Sequence, residues 1–228
     1  LIAPGPERDA NAPSLHGATL RLDPRRTERL IATLATAAGV EWRDRTGALP
    51  LLEAALRDDR EAVPGHREDR AEGLAAVLQF ALPILLAGIA RSEGAASPAD
   101  WTQGYCPICG AWPLRAELRG IERERYLRCA RCGADWIGAW LRCTYCGEDN
   151  HERLGLLSAE GQLDSRRVET CASCRHYLKA FAALTPASPL EMLLDDLETL
   201  ELDLAARERG FTRPDTLGYP VSVNILPC

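Results

Sequence analysis

Apolar residues recur at helical spacing before residue 100, alternate at shorter period between 106 and 174, and return to helical spacing after 188. Leu30, Ile31, Leu34 and Ala38 line one face of a helix predicted over about 24–38. Asp23 can cap it, Pro24 suits its first position and Gly39 its exit. A shorter helix is predicted around 50–57, with Leu52, Ala55 and Leu56 inward. The charged stretch from Asp58 to Asp69, containing Pro64-Gly65, reads as a loop, and a third helix follows over about 68–90. Ser97 and Asp100 have capping-box spacing, so a short helical turn is predicted there.

The middle segment reads as short strands, glycine turns and cysteine knuckles. Leu114 to Leu118 alternates like a strand, Gly120 suits a turn, and Tyr126-Leu127-Arg128 can pair back. Trp136 to Leu141 is a further strand, and Leu154–Leu157 with Arg166–Glu169 forms a hairpin closed near Glu160-Gly161. The last helix has Ser188 as cap, Pro189 at its first position and Glu191 completing the box. Gly210 ends it. Its stripe of Leu190, Leu193, Leu194, Leu197, Leu200 and Leu204 predicts a core-facing surface. The expected architecture is α+β: a mobile N-terminal segment over 1–19, a helical domain over 20–100, two tandem four-cysteine ribbons over 101–142 and 143–184 with short β-hairpins, and a C-terminal helix and tail over 185–228.

Charge is uneven along the 228 residues, which carry a formal net charge of −6. Residues 1–100 balance at −3, residues 101–180 at +2 and residues 181–228 at −5. The basic middle segment coincides with eight of the nine cysteines. Arg123, Arg125, Arg128, Arg131 and Arg142 are therefore expected to offset thiolate charge rather than to form a nucleic-acid surface. Lys179 is the only lysine, and this reads as codon bias. Pro4, Glu7 and Asp9 interrupt any opening apolar run, so no secretory signal is expected. The apolar run Leu74–Ala90 contains Gln79, Pro83 and Gly88, and reads as a kinked core helix rather than a membrane insertion. A cytoplasmic chain with free thiols follows, for which metal binding is the default use of paired cysteines.

Four Cys-x-x-Cys pairs carry the chemistry: Cys106/Cys109, Cys129/Cys132, Cys143/Cys146 and Cys171/Cys174. The order knuckle, hairpin, knuckle occurs twice, so the first pair is expected to close with the second and the third with the fourth. Two cysteines three apart can aim at one ion only if the chain turns sharply, and a glycine after the second relieves that turn. Gly110, Gly133 and Gly147 stand there; Arg175 takes the fourth position, so that knuckle is expected to lead straight into a helix. Four thiolates accept iron or zinc, with availability often choosing between them, and leave no open position for water, which argues against metal hydrolysis. His176 reads as a packing or surface residue, and His16, His66 and His151 as loop residues without partners. Cys228 reads as a dispensable thiol. Trp136, Trp140 and Tyr145 are expected to cover the ribbon cores. No phosphate loop and no nucleophile–base pair is evident, so no catalytic role is expected.

The residues also resemble a known family. Arg125-Tyr-Leu-Arg-Cys129-Ala-Arg-Cys132, Trp136, Cys143-x-x-Cys146, Glu169-Thr-Cys171-Ala-Ser-Cys174, Tyr177-Leu-Lys179 and Asp195-Asp196-Leu197 are similar to the formate dehydrogenase accessory protein FdhE. So are Cys106-Pro-Ile-Cys109-Gly110, Leu202-Asp203-Leu204 and Gly210-Phe-Thr-Arg213. Phe211 stands where the family has tyrosine, and the tail after Arg213 departs from the family ending. The resemblance implies a cytoplasmic maturation factor that binds the catalytic subunit of a formate dehydrogenase before export, and rubredoxin-like iron sites. Two other readings of the cysteines stand beside it: a redox or metal-thiolate sensor, and a zinc-ribbon nucleic-acid binder.

Overall fold

The structure is a computed structural model, and it describes residues 2–3, 9–40, 47–59, 77–78, 81–86 and 100–228. Much of the charged loop, parts of the third predicted helix, and Ser97 of the predicted capping box lie outside the described residues. The chain divides into two units: Leu1–Ala95 with Tyr219–Cys228, and Ala96–Gly218.

In the first unit, α1 (Pro24–Ala37) starts where Asp23 accepts hydrogen bonds from the backbone N–H groups of Arg25 and Arg26. Its buried positions are Thr27, Ile31 and Ala35. Ala38, expected inward, is exposed. In α2 (Ala48–Arg57), Leu52, Ala55 and Leu56 are buried as expected. Residues 77–78 and 81–86 are helical, with Val77, Leu78, Ala81, Leu82 and Leu86 buried.

A small sheet completes this unit in the order β1 (Ile2–Ala3), β2 (Ala18–Leu22), β9 (Val223–Pro227). The segment 1–19 was expected to be mobile; instead Leu15 and Ala18 are core residues, and Ala18 opens β2. The tail, expected to form one segment with the C-terminal helix over 185–228, instead supplies β9, which lies parallel to β2 with Ala18 opposite Val223. Val221, Val223 and Ile225 alternate inward, the period of a half-buried strand. The other edge of β9 is closed by α2: the Arg57 guanidinium donates to the Val223 carbonyl at 2.9 Å, and the Glu53 carboxylate accepts from the Ile225 N–H at 3.2 Å.

The second unit is built on one six-stranded sheet. Its strands are β3 (Pro113–Arg119), β4 (Glu124–Cys129), β5 (Asp135–Ile137), β6 (Leu154–Leu157), β7 (Arg166–Cys171) and β8 (Tyr177–Ala183). Their order is β5-β4-β3-β8-β7-β6. Within each ribbon neighbours are antiparallel, and the ribbons join through β3 and β8, which are parallel. The two ribbons expected as separate segments thus share one sheet. The strand predicted over Trp136–Leu141 ends at Ile137. β8 was not anticipated, because Arg175 was expected to start a helix.

The predicted last helix is two helices, α3 (Pro189–Glu198) and α4 (Leu200–Glu208), broken at the buried Thr199. Ser188 and Glu191 form the capping box as read. Lys179 explains the break. Its ammonium, fully buried, donates to the carbonyls of Asp196 (2.8 Å) and Thr199 (3.1 Å) and to the Thr199 hydroxyl (3.0 Å). These acceptors are thereby drawn toward the sheet and away from a continuous helical ladder.

The leucine stripe faces the wrong way for a core. Leu190, Leu193, Leu194, Leu197, Leu200 and Leu204 are 41–66% exposed. The inward face carries Met192, Thr199, Leu202 and Ala206, with acids beside them. Lys179 pairs with Asp196 (2.9 Å) and Asp203 (2.6 Å), Arg115 with Asp195 (2.5 Å), and Arg213 with Asp196 and Asp203. A sheet with buried cations demands acids from the helices that cover it, so the acidic face turns in and the leucines turn out.

Candidate metal centres

Each knuckle repeats one backbone pattern. The N–H of the residue after the second cysteine donates to the carbonyl of the first: Gly110 to Cys106, Gly133 to Cys129, Gly147 to Cys143 and Arg175 to Cys171, at 2.9–3.1 Å. The N–H of each first cysteine donates to the carbonyl five residues on, at 2.8–3.0 Å. The turn requires a left-handed residue, and the three glycines adopt φ of 72°, 74° and 78°. Arg175 adopts φ 61° in the fourth and leads into β8, not a helix. Its side chain is held against the end of α4: it donates to the carbonyls of Arg209 (2.5 Å) and Gly210 (3.3 Å) and lies over the Phe211 ring at 4.3 Å.

The knuckles meet in the sequential order read from the spacing. Cys106, Cys109, Cys129 and Cys132 gather in one group, Cys143, Cys146, Cys171 and Cys174 in another, and within each all four sulfurs lie within 4.8 Å. Sulfur–sulfur distances are 3.4 Å for Cys106–Cys132 and for Cys109–Cys129. They are 3.6 Å for Cys143–Cys174 and 3.7 Å for Cys146–Cys171. These are too long for disulfides. A tetrahedron with metal–sulfur bonds of ~2.3 Å has edges of ~3.8 Å, so the donor sets fit such an ion. His176 lies outside both groups; its Nδ1 contacts the Thr212 carbonyl at 3.2 Å.

Electrostatics show what the thiols lack. Burial pushes the Cys106 thiol well up, and neighbouring thiols push Cys132 up. Hydrogen bonds from the other three cysteines hold Cys109 well down, helped by Arg131. In the second group burial raises Cys143 to about 11 and raises Cys174. Burial opposes ionisation of Cys171, but backbone N–H groups of Cys174 and Ser173 outweigh it and lower its pKa. Four thiolates cannot share such a space without a cation, and a dication relieves the strain by displacing protons. The two clusters could hold two metal ions.

The basic residues of the middle segment do other work than expected. Arg128 binds Glu117 at 2.8 Å, Arg125 binds Glu169 at 2.7 Å, and Arg123 reaches Asp164. Of the five, Arg131 lowers Cys109, Arg142 donates to the Gly147 carbonyl, and Arg125 also donates to the Thr144 hydroxyl inside the third knuckle at 2.8 Å. Arg115, Arg125 and Arg128 are buried, so these three contribute nothing to a phosphate-facing surface. Trp136 is buried, with its Nε1 donating to the Gln103 carbonyl, but Trp140 is half exposed. His16 has partners: Nδ1 accepts from the Ser222 N–H, and the ring meets Tyr219 edge-on at 5.1 Å.

Reading by motif missed an aromatic run between the clusters. Tyr105, Trp112, Tyr145 and His176 contact one another in turn at 6.0, 5.2 and 5.4 Å. Each lies next to or inside a knuckle, which was the available signal. Gly104 lets this region close: a Cβ there would lie 1.7 Å from the Thr144 carbonyl oxygen.

Fold and site together define a mixed α/β protein organised around two tandem four-thiolate clusters. An FdhE homologue from Stutzerimonas stutzeri is 31% identical over 235 residues, spanning 86% of this chain and 74% of the relative. The chain belongs to the FdhE family. Residues 141–217 match the FdhE C-terminal domain. The Pseudomonas aeruginosa homologue is 32% identical over 182 residues, 70% of this chain and 58% of that protein. A Haemophilus influenzae homologue is 35% identical over 112 residues, 48% of this chain and 36% of the relative. The crystal structure of the FdhE protein from P. aeruginosa aligns with a TM-score of 0.54 at 28% identity, covering 88% of this chain and 74% of that one. The chain therefore spans well under two thirds of several relatives. Among the described residues, no helix is long and apolar enough to cross a membrane.

Proposed function

We propose that this chain is a cytoplasmic accessory factor that binds the catalytic subunit of a formate dehydrogenase and supports its assembly, without catalysing a reaction itself. In this reading Cys106, Cys109, Cys129 and Cys132 hold one ion, iron or zinc, and Cys143, Cys146, Cys171 and Cys174 a second, in rubredoxin-like sites. Membership of the FdhE family supports this choice of partner. The observation that carries a binding role is the outward leucine ridge of α3 and α4, an apolar surface that the chain's own core does not use. Exposed Glu191, Glu198 and Glu201 accompany it, so a partner segment with apolar and basic residues suits the surface.

The test is capture from a native extract of a formate-oxidising cell. The unaltered chain should retain the catalytic subunit, and Leu193→Asp with Leu197→Asp should lose it while keeping two metals per chain. Retention undiminished in the double variant would remove the ridge from the interface. Failure of the unaltered chain to retain the subunit would remove the partner.

A further inference from the structure

The two clusters are walled differently. In the first, Cys106, Cys109 and Cys129 have no exposure and Cys132 has 2%. In the second, only Cys171 is buried; Cys143 and Cys174 are half-buried and Cys146 is exposed. Two cavities of about 290 and 480 Å³ both reach Cys143. The smaller continues to Cys171, between Trp140, Tyr145 and Leu156. The larger continues to Cys146. Neither is lined by a cysteine of the first cluster.

Ligand exchange at a four-thiolate ion needs an incoming donor to reach the metal before a sulfur leaves. At the first cluster all four cysteines are buried and neither of these cavities reaches one of them, so exchange there waits on local opening of the sheet. At the second, Cys146 already faces solvent and a donor can approach without unfolding. The second cage also keeps its shape by bonds that do not involve an ion. The Ser173 hydroxyl donates to the Glu148 carboxylate at 2.5 Å, tying the third knuckle to the fourth. The Tyr145 hydroxyl donates to the Tyr177 carbonyl at 3.1 Å.

We infer that the second cluster is an exchange site that passes its metal ion to and from soft donors, whereas the first is a permanent staple. The inference rests on the reading that each cluster holds one ion. In the exchange step, the lone pair of an incoming donor, such as a thiolate, forms a bond to the metal. The bond from the metal to Cys146 Sγ breaks, and the released thiolate takes a proton from solvent. No oxidation state changes. The remaining three sulfurs follow in turn, and reloading reverses the sequence.

The zinc-loaded full-length chain tests this with the chromogenic chelator 4-(2-pyridylazo)resorcinol in excess. One equivalent per chain should be released at least about ten-fold faster than the other, since only one departure requires local opening. The fast phase should vanish in Cys146→Ser and remain in Cys109→Ser. Release of both ions in a single phase, or a fast phase that survives in Cys146→Ser, overturns the exchange site. If Cys109→Ser does not fold, the wild-type phases and Cys146→Ser decide the matter alone. A stoichiometry other than two in the unaltered chain would instead show that the metal assignment itself is wrong.

Discussion

Arg175 occupies a backbone position that three equivalent knuckles give to glycine. A side chain at left-handed φ costs of order 1 kcal/mol, which its contacts to α4 and Phe211 can offset. Arg175→Ala keeps the conformational cost and loses the contacts; Arg175→Gly loses both. The alanine variant should therefore be the less stable by about 1 kcal/mol in urea unfolding. Equal stability would mean that the turn carries no strain. Glu117 makes a second argument at this scale. Burial alone would raise its pKa, but Arg115, Arg119 and Arg128 hold it below the ordinary value. Asp196 is held down against its own burial in the same way by Arg213 and Lys179. A depressed carboxylate contributes stability that is complete above its unfolded pKa and is lost as pH falls through the folded one. Stability should thus hold from neutrality to about pH 5 and decline below about pH 4. Glu117→Gln and Asp196→Asn should each flatten that decline, as read by urea midpoints across pH. The knuckles themselves were legible because everything that defines them lies within six residues: two cysteines, a left-handed position and a closing carbonyl.

Elements were harder to read where their partners are distant. The leucines of α3 and α4 are periodic, and periodicity reports that a helix has two unlike faces, not which one is buried. The deciding fact is Lys179, at least 17 residues away from its acids in sequence and fully buried beneath both helices. A single lysine among many arginines looked like codon usage; its ammonium instead fastens β8 to α3 and α4. Lys179→Met should destabilise the second unit by about 3 kcal/mol, because Asp203 and Asp196 lose a buried partner. Leu197→Lys, on the outward face, should change stability by no more than about 0.5 kcal/mol. Denaturant curves on both variants check the orientation of these helices directly; a large loss in Leu197→Lys would restore the leucines to a core.

At the scale of the whole chain, the two units draw on sequence in different ways. The cysteine unit is continuous from 96 to 218, whereas the first unit needs both ends of the chain. β9 carried a period of two in Val221, Val223 and Ile225, but its mate β2 lies two hundred residues earlier, and no local pattern joins them. Removing residues 219–228 should expose the inner faces of β2 and α2, making residues 9–59 susceptible to protease, while two metals per chain remain. Loss of metal on truncation would show that the units do not fold separately.

The join between β3 and β8 has an implication for solubility. The first ribbon offers its first strand, β3, to the third strand of the second, β8, and the two run parallel, so the ribbons are related by a shift along the sheet rather than by a closed rotation. A contact of that kind has no built-in end: a third ribbon, from another molecule, could add to either side by the same geometry, and so could a fourth. The outer strands that would accept it, β5 and β6, are three and four residues long. Their brevity halts what would otherwise be a template for fibrous growth.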